Sequence, residues 1–208
     1  MNWTDIQQWE SAPLQTYAVE CENKQRKLQP VGDALAARLD SLTGSGQTVK
    51  AAKAALRKRI TAIEKEVNFL ISSAEIASEG AQGINEVRAN ADDAKQLANT
   101  WGMSIDASGN VSIGAAEVKR LKKAGKIVLD IKYMVDTAQK RVNTALRRAQ
   151  ELVESLSQKI SALDAGTYDN NVHYSATKKV RPSLPPPEPR HRKSRLGGAL
   201  YPTTTSSG

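Results

Sequence analysis

The sequence has few of the residues that build thick cores or chemical sites. Aromatic residues make up 4% of the chain, with a single Phe. Such a composition suits a thin seam between helices rather than a thick core. Cys21 is the one cysteine, which excludes an internal disulfide and a cysteine-based metal site.

Catalytic residue types are equally sparse. His173 and His191 both lie in a polar C-terminal region without helical periodicity, where we expect no rigid geometry with a nucleophile. Cys21 falls on the apolar face of a predicted helix and is expected to be a buried, small hydrophobic residue. The sequence also has no glycine-rich phosphate loop. We therefore expect no enzyme activity, no catalytic or metal site and no cofactor.

Long apolar runs are absent as well. No run approaches the roughly 20 residues needed to span a bilayer, so we expect no membrane span. Met1 to Trp9 has neither the basic region nor the apolar stretch of a cleaved Sec signal. The protein is therefore expected either to stay in the cytoplasm or to be secreted, or reach the cell surface, by a signal-peptide-independent route.

Two long stretches do show a strong pattern, because apolar residues recur at every third or fourth position, as on one face of a helix. One stretch runs from Val49 to Ala98 and the other from Val118 to Leu163, and neither contains a proline. At about 1.5 Å per residue, each helix would be roughly 70–80 Å long. We predict an all-α fold, an elongated antiparallel hairpin or bundle of long helices at about 13–42, 47–100 and 115–163.

Several residues modify this picture. Pro30 predicts that the first helix either kinks or breaks after Lys27. Gly80 and Gly83 each weaken the second helix by about 1 kcal/mol relative to Ala, which favours a bend there. Residues 103–113 alternate apolar and polar positions around a turn-rich centre, which predicts a small β-hairpin.

The positive charge is concentrated at the C-terminal end. The formal net charge is +8, and seven of the 30 Lys and Arg residues follow Thr177, against the single acid Glu188. We divide the chain into a helical domain at 1–166 and a disordered, basic, Pro-rich tail or linker at 167–208. The tail is interpreted as a solubilising linker or a patch for an acidic surface, with nucleic-acid phosphates as an alternative ligand.

The candidate functional residues are those suited to contact a partner. Large aromatic side chains concentrate at the centres of interfaces, which favours Trp3 and Trp9. The alternative is that the three indoles, Trp101 included, staple the N-terminal arm and the β-hairpin onto the helix bundle. We prefer this alternative for Trp101, and both interpretations stay open for Trp3 and Trp9. The predicted partner-binding residues are Trp3, Trp9, Leu14, Leu35, Leu42, Thr43, Gly44, Leu56, Ile63 and Leu70.

Three segments, in this order, resemble a known family. They are "WESAPLQTYA", "AAKAALRKRI" after a short Thr-Gly tip, and "WGMSIDASGNVSI". Together they are similar to the N-terminal helical domain of actinobacterial type VII (ESX) secretion substrates, in the Trp-x-Gly (WXG) superfamily, of the kind fused to toxins or hydrolases. The resemblance covers roughly Trp9 to Val111, about half of the chain.

The sequence departs from the family pattern at two points. Leu42-Thr43-Gly44 stands where the family has Trp-x-Gly, and none of the five tyrosines is followed four residues later by Asp or Glu, which is the family's export signal. The resemblance therefore implies pairing with a small helical WXG-type protein that carries the signal to the type VII machinery.

We accordingly expect a non-enzymatic secretion or delivery module that binds its partner through an apolar helix face. One alternative is a structural or scaffolding coiled-coil protein that self-associates into a homo-oligomer along the same seams. A second alternative, which we disfavour, is nucleic-acid binding through the basic tail. Pairing with a neighbouring helical protein distinguishes the first hypothesis from self-association.

Overall fold

The computed structural model describes residues 1–169 and 172–177, and the helical prediction is confirmed. Most of these residues lie in long helices, accompanied by one two-stranded antiparallel sheet. The elements are α1 (Trp3–Gln7), α2 (Ala12–Ser41), α3 (Gln47–Thr100), β1 (Met103–Ile105), β2 (Val111–Ile113), α4 (Ala115–Lys123) and α5 (Val128–Asp164).

α2 and α3 form the predicted helical hairpin. α2 continues through Pro30 without a break. Pro30 and Arg26 are both exposed, so water can reach the Arg26 carbonyl that Pro30 leaves without a backbone donor. α3 is a single helix through Gly80 and Gly83.

α3 is the element on which the rest of the fold is assembled. α2 packs along its first half and α5 along its second half, and the two helices meet at Gly80. A Cβ atom placed on Gly80 would lie 3.0 Å from Cδ1 of Leu14 in α2 and 3.3 Å from Cδ1 of Leu156 in α5. The absence of a side chain at Gly80 therefore lets three helices approach closely at one point.

The predicted third helix at 115–163 is wrong in one respect, because it is two helices. α4 ends in a Schellman motif, in which Gly125 adopts φ +82° and the Lys126 N–H donates to the Leu121 carbonyl at 3.0 Å. α5 then begins at Val128, and the Ile127 N–H donates to the Asp130 carboxylate at 3.1 Å. The break separates α4 from the apolar stripe of α5.

The β-hairpin matches the predicted position and rests on α5. Met103 pairs with Ile113, and Ile105 pairs with Val111. The Gln139 side chain of α5 forms two hydrogen bonds with the hairpin backbone. Its Oε1 accepts the Val111 N–H at 2.8 Å, and its Nε2 donates to the Gly109 carbonyl at 2.8 Å. These two hydrogen bonds fix the hairpin on the helices.

α1 packs over the second half of α3. Its N-terminus is closed by a capping box, in which Asn2 and Asp5 exchange hydrogen bonds of 2.9 and 3.0 Å. Trp3 and Ile6 are buried in a core cluster with Val87 of α3 and with residues of α5. In the part of the chain that the structure describes, no helix combines the length and apolarity needed to cross a membrane.

Candidate partner-binding surface

The tip of the α2–α3 hairpin contains three of the predicted partner-binding residues. Leu42 caps α2 and is partly buried, while Thr43 and Gly44 are exposed. Gly44 has φ +101°, a conformation that favours glycine, and a Cβ atom there would lie 3.7 Å from Cγ2 of Val49 at the start of α3. The tip is thus a tight turn that presents a polar surface with Leu42 beneath it.

The predicted helix-face residues differ in how far the chain itself covers them. Leu35, Leu56 and Ile63 are partly buried, so the seam of the hairpin remains accessible at these positions. Leu70 is buried with Cys21 and forms part of the chain's own core, where a partner cannot reach it in this conformation. The chain itself therefore covers the apolar face only partly at Leu35, Leu56 and Ile63, and buries it at Leu70.

A groove opens where the N-terminal part of α2, the middle of α3 and the C-terminal part of α5 meet. We call it the junction groove, and its volume is about 260 Å³. Tyr17, Phe69 and Ile160 are large apolar side chains on its walls that remain 47%, 42% and 50% exposed. The residues that line it are Leu14, Tyr17, Phe69, Ser73, Ile76, Ala77, Leu156, Ile160, Leu163 and Asp164.

The junction groove has little polar chemistry of its own. The Cys21 thiol beside the Tyr17 hydroxyl raises the pKa of Tyr17, and burial adds to the effect. Ser73 is buried, and its Oγ makes no hydrogen bond of ordinary geometry in the described part of the chain, although the Tyr17 hydroxyl lies beside it. The groove is therefore suited to contact an apolar side chain rather than to perform a reaction.

A short C-terminal segment lies on the other side of the hairpin. Residues 172–177, which we call the strap, fall in the region predicted to be a disordered tail, and they contact the hairpin through specific hydrogen bonds. Asn68 of α3 clamps the backbone of Tyr174, because its Oδ1 accepts the Tyr174 N–H at 2.7 Å and its Nδ2 donates to the Tyr174 carbonyl at 3.0 Å. Of the predicted tail at 167–208, residues 167–169 are also described and follow α5, while residues 170–171 and 178–208 lie outside the described residues.

The Tyr174 side chain reaches across to α2. Its hydroxyl donates to the Asp33 carboxylate at 2.8 Å and lies 3.0 Å from the Gln29 carbonyl. Gly32 makes this approach feasible, because a Cβ atom there would overlap the Tyr174 hydroxyl. Partial burial, together with the neighbouring Asp33 carboxylate, raises the pKa of Tyr174 well above its ordinary value.

Glu64 of α3 holds the end of the strap. Its Oε1 accepts the Ala176 N–H at 2.8 Å and the Ser175 hydroxyl at 3.1 Å. Together with Asn68, it gives the strap backbone three hydrogen bonds from one face of α3. This face of α3 therefore binds the strap through its backbone, as a peptide is bound.

The three tryptophans belong largely to the fold. Trp3 is buried in the core cluster, and its backbone N–H donates to the Ala107 carbonyl at 2.9 Å, so in this conformation the indole staples the N-terminal arm onto the helices. Trp9 is partly buried against the same cluster, and its carbonyl accepts from Arg88 at 3.3 Å. Trp101 packs with Met103 beside the β-hairpin, as predicted.

The titratable side chains of the described residues lie in separate places on the fold. Among residues 1–169 and 172–177, no group of three or more His, Cys, Asp or Glu side chains is placed to hold a metal ion. His173 contacts Asp169 at 3.1 Å on the surface, and His191 lies outside the described residues. Lys159 of α5 forms an ion pair with Glu79 of α3, which ties the two helices together.

Sequence reasoning finds Leu14 but misses most of the junction groove. Phe69 lies between the stripe positions Val67 and Leu70, so periodicity does not assign it to the apolar face. A large apolar residue just off a stripe is a signal for a second contact surface, and Phe69 is the only phenylalanine in the sequence. Ile160 continues the stripe of the last helix, yet its exposure shows that the seam opens there.

Comparison with known proteins provides no assignment. The chain matches no family model, and neither a curated protein nor a solved structure is significantly similar to it.

Proposed function

We propose that this protein is a non-enzymatic type VII (ESX) secretion substrate or delivery module that pairs with a small helical WXG-type partner. It would be secreted, or reach the cell surface, by a signal-peptide-independent route, with the partner carrying the export signal. The family and the route come from the sequence resemblance. The contact surface comes from the uncovered apolar residues of the helical hairpin.

The observation that carries the proposal is the open junction groove at the base of a half-covered hairpin seam. Three helices contribute apolar walls to the groove, and Tyr17, Phe69 and Ile160 remain substantially exposed there. An amphipathic helix that lays its apolar face in such a groove is a recurrent mode of recognition. The half-buried Leu35, Leu56 and Ile63 extend the same apolar character toward the hairpin tip.

The strap leaves this surface available. It bonds to Glu64 and Asn68 of α3, whereas the junction groove uses Phe69 and Ile76 of the same helix. A partner in the groove and the strap can therefore be bound at the same time. Recognition would consist of burying apolar surface, whose contribution is about 25 cal/mol per Å².

The test is co-expression with the small helical proteins encoded beside this gene, followed by size-exclusion chromatography with light scattering. A stable one-to-one complex is expected. Phe69→Asp should abolish it, since a buried unpaired carboxylate in the groove is strongly unfavourable. Val19→Asp is the matched control, because Val19 is an apolar residue of α2, 53% exposed and outside the groove, and its replacement should leave the complex intact.

Two outcomes would contradict the proposal. A defined homo-oligomer that ignores every neighbouring protein would favour the self-associating coiled-coil alternative, and Phe69→Asp would then dissolve that oligomer instead. A heteromeric complex that tolerates Phe69→Asp and Val19→Asp equally would show that the partner binds elsewhere. Circular dichroism on both variants establishes that the helices remain intact.

A further inference from the structure

The turn between α4 and α5 exposes an unusual amount of apolar surface. Ile127, Val128, Leu129 and Tyr133 are 60%, 66%, 69% and 71% exposed. Three of them are consecutive, and Tyr133 lies one helical turn after Leu129 on the same side of α5. We call residues 119–133, which are rich in Lys and Arg, the basic corner.

The local structure explains why these side chains point outward. Gly125 ends α4, and the Asp130 carboxylate starts α5 by accepting the Ile127 N–H. The inner side of α5 is already occupied, because Ile131 is buried and Met134 and Val135 pack on the cluster that contains Ala138. The outer residues thus add nothing to the core, and the fold alone does not account for their apolar character.

Positive charge surrounds the exposed apolar residues. The basic corner contains six Lys and Arg residues and one carboxylate, Asp130. Arg120 is paired with Glu117, and Asp130 is engaged by the backbone. The remaining charges make no ion pair in the described part of the chain, and they are Lys119, Lys122, Lys123, Lys126 and Lys132.

We propose that the basic corner docks on the surface of a lipid bilayer that contains anionic lipids. Ile127, Val128 and Leu129 would enter the boundary between headgroups and acyl chains, and the Tyr133 ring would lie at headgroup level, where tyrosine is enriched. The unpaired lysines would contact lipid phosphates. This contact lies on the membrane and does not span it.

The shape of the corner favours a membrane over an acidic protein. Three consecutive apolar side chains at the start of a helix point in different directions, which makes a convex tip rather than a stripe or a groove. A protein partner would need a complementary cavity for each of them. A fluid lipid interface accepts such a tip without complementary shape, and its phosphates supply the negative charge that the lysines require.

The first test is flotation of the full chain with vesicles of equimolar phosphatidylcholine and phosphatidylglycerol, compared with pure phosphatidylcholine. Binding is expected only to the anionic vesicles and should weaken as salt is added. The combined change Ile127→Ser, Leu129→Ser and Tyr133→Ser should lower the affinity at least about tenfold. Lys122→Gln with Lys123→Gln should lower it and reduce its dependence on salt.

Controls keep the result specific to the basic corner. Every variant retains the basic residues after Thr177, so a change in affinity reports the corner alone. Val19→Ser replaces an apolar residue of comparable exposure on α2 and should leave binding unchanged. Since Ile127, Leu129 and Tyr133 are mostly exposed, their replacement should leave the thermal unfolding curve nearly unchanged.

A second measurement places the corner in the lipid directly. Leu129→Cys can be labelled selectively with an environment-sensitive dye, because Cys21 is buried. The dye emission should shift to the blue with anionic vesicles and stay constant with pure phosphatidylcholine. The proposal is overturned by equal binding to both vesicles, by no binding, by affinity that the triple change leaves intact, or by binding without a blue shift.

Discussion

The Asn68 side-chain amide forms two hydrogen bonds with the backbone of Tyr174, 106 residues further along the chain. One amide donates to the Tyr174 carbonyl at 3.0 Å and accepts its N–H at 2.7 Å, in the manner of a neighbouring β-strand. This clamp ties the end of the described chain to the middle of α3. These two hydrogen bonds fix the position of the strap backbone on α3.

Asn68→Ala should release the strap. The change leaves the Tyr174 N–H and carbonyl without their partners, and we expect a loss of about 1–3 kcal/mol in the free energy of unfolding. Limited proteolysis should cut within 172–177 faster than in the wild type. Asn90→Ala is the matched control, since among the described residues the Asn90 amide bonds only to the Glu86 carbonyl of its own helix. Equal proteolysis of both variants would contradict the clamp.

Tyr174→Phe should weaken the strap by about 1 kcal/mol, because it removes the hydroxyl contacts with Asp33 and Gln29. The backbone clamp by Asn68 remains in this variant, so its effect should be smaller than that of Asn68→Ala. Hydrogen exchange at the Ala176 amide, which bonds to Glu64, would detect the loosening. Protection identical to the wild type would show that the hydroxyl contributes nothing.

The strap should also respond to high pH. Partial burial and the Asp33 carboxylate raise the pKa of Tyr174 above the ordinary value of 10.0, so the folded state prefers the neutral phenol. The stability that this group provides is fully present below pH 10 and is lost as the pH rises above that value. Urea unfolding of wild type and Tyr174→Phe from neutral pH to about pH 11 should show the two curves converging. A constant difference would contradict the assignment.

Gly83→Ala tests the close packing of α3 on α5. A Cβ atom at Gly83 would lie 2.9 Å from Cδ2 of Leu152 and closer still to Cδ1. The gain of about 1 kcal/mol in helix propensity should be outweighed by overpacking of about 1–3 kcal/mol. We therefore expect a modestly lower unfolding temperature. Adding Leu152→Ala removes the clash, so the double variant should be non-additive by about 0.5–3 kcal/mol.

Gly125→Ala tests the origin of the break between α4 and α5. Gly125 has φ +82°, and no atom of residues 1–169 or 172–177 lies within 4 Å of the position that a Cβ atom would take, so the change probes backbone conformation. We expect a loss of about 1–2 kcal/mol by urea unfolding. Gly46→Ala is the control, because Gly46 has φ −62° and is equally open. If both changes had the same small effect, the left-handed turn would not be what ends α4.

Much of the helical architecture is predictable from local pattern. The predicted second helix coincides with α3, and the strands lie at 103–105 and 111–113, inside the predicted β-hairpin. Apolar periodicity reports a buried face directly, which explains this success. Gly125 falls on a stripe position, which hides the helix break, although Lys122 and Lys123 before it are a recognisable helix end.

The candidate sites are less accessible from sequence. The junction groove is formed by three helices whose residues are up to 150 positions apart in the sequence. Periodicity shows which face of each helix is apolar, but it does not show how much of that face the other two helices cover. The strap is polar and lacks periodicity, so its contact with Asn68 has no signal in its own sequence. Trp3 shows the opposite difficulty, because an indole suits a core and an interface equally well.

The order of contacts along the chain has a consequence for synthesis on the ribosome. The α2–α3 hairpin is closed by a short loop, and its two helices span residues 12–100, so all of its contacts can form before α5 is synthesised. The strap contacts join residues more than 100 positions apart, so they cannot form until nearly all of the described chain has emerged. A nascent chain would therefore carry a finished hairpin whose groove still lacks its α5 wall, so the apolar surface of the groove is more open during synthesis than in the folded protein.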